Sequence, residues 1–193
     1  WCTKAVDSLA DRLVVNGFEN DRFNMQSIYE QNNADILFDS AILGALITSC
    51  DFIYIRQDED GLVQMQVIDG ANATGVIDPV TYLLKEGYAV LERDPDSKMP
   101  LVEAYFTAGM TDIYYHDGRI EHLPNIANYP LLVPVIYRPD AKRNFGHSRI
   151  SRACMDLQDK AKDVLTRSSV TAEFYSFPQK YVLGLSEDAD RLD

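Results

Sequence analysis

The sequence predicts an α+β fold, an antiparallel β meander packed with N-terminal helices and one long C-terminal amphipathic helix. Three observations predict it. Apolar residues recur at helical spacing near the N-terminus; short β-type runs alternate with turn residues through the middle; and one apolar stripe at helical spacing runs from Ser148 to about Tyr175. With 193 residues, 46% of them apolar and 10% aromatic, the chain can bury a sizeable core. No internal repeat, low-complexity run or Gly/Ser linker interrupts it. A single domain over residues 1–193 is therefore expected.

Val6, Leu9, Ala10 and Leu13 mark a short amphipathic helix, stopped by Asn16-Gly17. After a polar stretch, Asp35 is placed to cap a second helix. Its residues Ile36, Leu37, Ala41, Ile42, Leu43, Ala45, Leu46 and Ile47 are apolar nearly all round, which predicts burial. From Phe52 the period becomes that of strands. Phe52 to Ile55 and Leu62 to Ile68 flank Asp58-Glu59-Asp60-Gly61, a hairpin turn. Further strand-like runs are Gly75 to Ile77, Gly87 to Leu91, Leu101 to Phe106 and Asp112 to Tyr115, consistent with a meander. Leu131 to Tyr137 contains Pro134, which confines that run to an edge or an element end.

In the last large element, Ile150, Ala153, Cys154, Leu157, Ala161, Val164, Leu165, Ser168, Ala172 and Tyr175 share one stripe. Ser148 is read as its N-cap, and Asp156/Lys160 and Asp163/Arg167 as supporting i,i+4 pairs. Such a helix is on the order of 40 Å long, more than a small core needs to cover itself. Part of it is expected to meet another subunit or a segment missing from this chain.

Thirty acids against 18 bases give a net charge of −12, which repels DNA phosphates overall. The charge is unevenly spread. Residues 140–167 hold seven bases and four acids, a net of +3, which leaves −15 for the remainder. Cys2, Cys50 and Cys154 stand far apart, without the spacing of a disulfide framework or a zinc site, and fit a reducing compartment. No apolar run approaches the ~18 residues of a membrane span, and no signal segment opens the chain. Trp1 in place of an initiator Met, and the charged stretch from Ser186 to Asp193, read as cuts in a longer protein.

No phosphate-binding, dinucleotide-binding, nucleophile-elbow or zincin motif occurs, so neither a cofactor nor a metal is expected. Asp58 to Gly61 imitates part of an EF-hand loop, but Arg56 and Val67 occupy positions where calcium needs oxygen ligands. His116 and His122, with Asp117 and Glu121 beside them, could face each other across a tight hairpin. They leave open an enzyme of unassigned type. His147 beside Ser148 does not make a catalytic pair by adjacency. Asn72-Ala73-Thr74 matches a glycosylation sequon but reads as a turn. Basic residues within 142–167 leave open a nucleic-acid-binding module, and Phe174 to Tyr181, with one base, reads as core or interface.

Several segments, taken together and in order, resemble the portal proteins of tailed bacteriophages that infect Gram-positive bacteria. Trp1 to Leu13 resembles the helix that opens that family's outer body, and Asp35 to Ala41 followed by Phe52 to Ile55 its helix-to-strand step. Ile68 to Pro79 resembles its sheet segment. Pro134 to Ile136, Phe145 to Arg152 and Phe177 to Tyr181 resemble the stretches that lead into and out of the long helix. The resemblance implies a non-enzymatic virion protein, the head-to-tail connector, in which about a dozen copies form a ring at one capsid vertex. Such rings pass DNA, dock the large terminase and the head–tail adaptor, contact capsid proteins, and assemble in the bacterial host cytoplasm; prophages encode them too. This chain would be the wing-like outer body. Stem, clip, channel loop and crown would lie outside it, and with them the DNA contacts. On that reading Arg149, Arg152, Lys160 and Arg167 project from the long helix toward an acidic surface of a neighbouring subunit.

Overall fold

Alternation of apolar and polar residues turns the stretch from Cys50 to Ile136 into eight antiparallel strands, with three helices before it and one after it among the described residues. The computed structural model describes residues 2–176. The chain divides into two compact units, Trp1–Ser151 and Arg152–Asp193. Its elements are α1 (Cys2–Ala10), α2 (Met25–Gln31), α3 (Ala34–Thr48), β1 (Cys50–Gln57), β2 (Val63–Ile68), β3 (Ala73–Ile77), β4 (Leu84–Arg93), β5 (Pro100–Thr107), β6 (Met110–Tyr115), β7 (Ile120–Pro124), β8 (Leu132–Ile136) and α4 (Arg152–Ser176). The fold class is the mixed α+β one that the sequence predicts.

The strands form two sheets, not one meander. β3 to β7 run as a five-stranded meander, whereas β1 and β2 pair with β8 in a three-stranded sheet of order β2-β1-β8. Pro134 lies in β8 opposite Phe52, in an edge strand, where a proline is tolerated. β1 is the centre of the first unit. Its first five residues are all buried because both faces of the strand are covered. On one face Phe52 and Tyr54 meet Ala89, Ala104 and Phe106 of the five-stranded sheet, with Tyr54 and Phe106 edge to face at 5.1 Å between ring centroids. On the other, Ile53 packs on Leu37 and Ala41 of α3. The layers are therefore α3, the three-stranded sheet and the five-stranded sheet. Fully burying a side chain such as Phe52 or Phe106 contributes roughly 1.5–3 kcal/mol. α1 adds Val6 and Ala10 against Leu46.

A buried carboxylate joins α3 to the sheet. Asp51 is 5% exposed, and its Oδ1 accepts from the Gly70 amide at 3.0 Å and the Thr48 hydroxyl at 3.2 Å. Burial pushes its pKa up from the ordinary carboxylate range. Two glycines make room here. A Cβ on Gly44 would stand 1.8 Å from Asp51 Oδ2, and one on Gly70 would stand 2.1 Å from the Cys50 carbonyl oxygen. The neighbouring Cys50 thiol is buried, which raises its pKa to about 12.

Several local expectations are corrected. α3 is half-buried, with Ile36 and Ile47 exposed, since only one side meets the sheet. Its cap position is Asn33, in the left-handed region and without a side-chain cap. Asp35 sits in the first turn and accepts from the Tyr29 hydroxyl at 2.5 Å. The polar stretch before it contains α2, whose first amides are met by Asp21 at 2.7 and 2.8 Å. Asn32, just after α2, ties that helix to β2 through Val63 O and Met65 N. α4 opens at Arg152, four residues after Ser148, so Ser148 is not its N-cap; the Ser148 hydroxyl donates to Ile47 O at 2.6 Å.

Candidate subunit interface

The basic stretch that the sequence singles out falls in two places. Residues 138–151 belong to the first unit and residues from Arg152 onward to the second. In the first, Asp140 folds its own loop. Its carboxylate accepts from the Lys142 and Arg143 amides, each at 2.8 Å, and from His147 Nε2 at 2.5 Å. Arg143 Nη1 lies 3.0 Å from His147 Nδ1. A guanidinium only donates, so in this arrangement Nδ1 is the acceptor and Nε2 the donor. The hydrogen bond from His147, then those from the Lys142 and Arg143 amides, hold Asp140 at about 2. This closed network accounts for His147, which has no link to Ser148 as a catalytic base.

Arg149 is not a surface side chain of the long helix. It precedes α4, and its guanidinium donates to the Ala5 carbonyl and, at 3.0 Å, to the Tyr137 hydroxyl. Its amide also donates to Leu46 O at 2.8 Å. The loop is thereby tied to α1, α3 and the end of β8. Periodicity puts Arg149 on the helix because the apolar stripe can be extended back to Ile150; in fact Ile150 packs with Val6 and Leu46 before the helix starts.

Arg152, Lys160 and Arg167 do lie on α4, and all three are exposed. The helix has 25 residues and a length of about 37 Å. None of its residues is buried. Leu157, Val164 and Leu165 are 66%, 64% and 67% exposed, an apolar stripe open to solvent. The i,i+4 ion pairs expected of Asp156 with Lys160 and Asp163 with Arg167 are not closed; among the described residues, the basic side chains within 4 Å of a carboxylate oxygen are His122, beside Asp112, and His147, beside Asp140. Phe177 to Tyr181 lies outside the described residues.

The histidine site does not form as expected. The register puts His122 opposite Asp112, with His122 Nδ1 2.6 Å from the carboxylate, while His116 sits in the turn and donates its amide to Leu101 O. They are not a facing pair. Among the described residues no group of three or more His, Cys, Asp or Glu is placed to hold a metal ion. Asp58 is committed to its own turn through the Asp60 and Leu62 amides and Gln64 Nε2. No helix among the described residues is long and apolar enough to cross a membrane.

Neither a protein-family model nor a curated protein matches the sequence.

Proposed function

We propose that this chain is the wing-like outer body of a phage portal subunit, a structural part of the ring through which DNA enters and leaves the capsid, with no catalysis of its own. The observation that carries the proposal is α4. A 25-residue helix that buries none of its residues and exposes Leu157, Val164 and Leu165 is shaped to be covered by another surface. Its exposed cations Arg152, Lys160 and Arg167 suit a neighbouring copy of a chain whose net charge is −12. Arg149 is withdrawn from that interface, being used inside the first unit. A body so acidic also suits a conduit along which DNA slides without sticking.

Terminase, the head–tail adaptor and capsid proteins are the partners this function requires, and the portal vertex is its place. Reversing charge at Lys160 and Arg167 in the full-length protein tests it. Ring assembly should be impaired with the subunit still folded. Intact rings with failed DNA packaging would name DNA or terminase as the partner of these residues instead.

A further inference from the structure

A neighbouring copy that receives α4 must offer an apolar surface edged by acids. At about 100° per residue, Leu157, Ala161, Val164 and Ser168 share one face of the helix, with Lys160 and Arg167 along one margin and Leu165 along the other. Asp156, Asp159 and Asp163 lie further round, so the apolar face is edged by positive charge.

The first unit has such a surface. Leu13, Val14 and Val15, just after α1, form an open groove with Ile36 and Phe38 of α3, and Asp35 and Asp39 line it too. Ile36 is 75% exposed and Val14 68%. Its aromatic side is ordered without a partner: Tyr29 stacks on Phe38 and meets Phe18 edge on, each at 5.9 Å between ring centroids, and donates its hydroxyl to Asp35. α3 carries no base, and Asp11 and Arg12 just before the groove cancel in charge, so Asp35 and Asp39 leave it negative. Contiguous exposed apolar surface marks an interaction site, and a preformed one costs less to order on binding. An amphipathic helix laid in an apolar groove anchors at i, i+4 and i+7, the spacing of Leu157, Ala161 and Val164.

We infer that α4 of one copy lies in this groove of the next, with Leu157 and Val164 against Val14 and Ile36 and with Lys160 and Arg167 beside Asp35 and Asp39. This names the surface that α4 covers, and it rests on the reading that copies of the chain associate through α4. The contact is heterologous, the helix of each copy engaging the groove of another, which is the arrangement that closes rings. α3 has 15 residues and is about 22 Å long, so the overlap is short and the contact belongs with small, weak interfaces.

Photo-crosslinking tests it, on the 193-residue chain and on the full-length protein. A chain with Val164→p-benzoylphenylalanine is mixed with an isotope-labelled chain at low salt, and mass spectrometry identifies the joined peptides. Crosslinks from position 164 to residues 13–15 or 36–39 of the labelled copy are expected. Crosslinks only within one copy, only to another segment of the labelled copy, or none in either protein would overturn the inference. A charge swap gives a second readout. Asp39→Lys should weaken association about tenfold in sedimentation velocity, as should Lys160→Glu with Arg167→Glu, and the three changes in one chain should recover most of the loss. No recovery would overturn the pairing. Rings from the full-length protein with crosslinks elsewhere would sink the docking and spare the portal reading; a full-length protein that stays monomeric would sink the portal reading, whereas crosslinks to the groove in the 193-residue chain would still uphold the docking.

Discussion

Replacing Gly44 by alanine should destabilise the protein through a single side chain, and in a protein that lacks that side chain the same replacement should cost nothing. The new Cβ would stand 1.8 Å from Asp51 Oδ2 and 2.5 Å from its Cγ, far inside contact distance. The carboxylate must swing away and forfeit its bonds to the Gly70 amide and the Thr48 hydroxyl, in a residue 5% exposed. Overpacking and unmet buried groups together cost about 2–4 kcal/mol. Asp51→Ala alone should cost about 1–3 kcal/mol, since the Gly70 amide loses its acceptor, whereas the Thr48 hydroxyl keeps the Gly44 and Cys50 carbonyls, each at 3.0 Å. In the double variant the methyl added at position 44 enters vacated space and helix propensity favours alanine by about 1 kcal/mol, so Gly44→Ala becomes neutral or stabilising there. The coupling should therefore be at least about 2 kcal/mol. Urea denaturation of the four proteins, with unchanged m-values, measures it. Gly70→Ala is the control. Its clash is with the Cys50 backbone carbonyl at 2.1 Å, which Asp51→Ala cannot relieve, so that double variant should stay about 2 kcal/mol or more below Asp51→Ala. Additivity of Gly44→Ala and Asp51→Ala within about 0.5 kcal/mol would refute the packing described for this junction.

Other consequences can be measured with the same methods. Asp51 has a raised folded pKa, so as the pH rises from about 4 the unfolded chain loses this proton first and stability falls until the folded pKa is passed, above which the penalty stays at its full value; Asp51→Asn should gain on the wild type through that window and keep the gain above it, and a constant difference from about pH 4 to 7 would contradict the burial effect. Arg149→Ala should lower stability by about 2–3 kcal/mol in denaturant titration, through loss of the bonds to Ala5 and Tyr137. Lys160→Glu and Arg167→Glu, on exposed positions, should change stability by less than about 0.5 kcal/mol yet impair assembly of the full-length ring, as seen by negative-stain microscopy.

Much of the fold was legible because local period reports it. The strand-like runs between Phe52 and Tyr115, the acidic turn at Asp58 to Gly61 and the edge character that Pro134 imposes all follow from residue type and spacing. The split into two sheets was not legible. β1 pairs with β8 across the whole intervening meander, as in Cys50 with Ile136, and no local pattern encodes so distant a partner. β7 escaped notice because all five of its residues are exposed, leaving no apolar alternation. α2 escaped because it spans seven residues and takes its N-terminal hydrogen bonds from Asp21, upstream of the cap position Asn24, which itself supplies none. Of the candidate interface, Lys160 and Arg167 lie on an exposed helix as their spacing predicts, whereas Arg149 does not, since a partly buried arginine bonded to a backbone carbonyl looks the same in sequence as a solvated one.

Size exclusion with light scattering, on the 193-residue chain and on the full-length protein at matched concentration, tests the portal proposal most directly. A stable cyclic contact usually buries well over ~1,000 Å², and by resemblance much of that area belongs to the stem and clip. The account predicts closed rings of about a dozen subunits from the full-length protein and a monomer or weak associate from the 193 residues. A full-length protein that stays monomeric under these conditions would contradict the portal reading, and a stable ring from the 193 residues alone would contradict the placement of the closing contacts outside them.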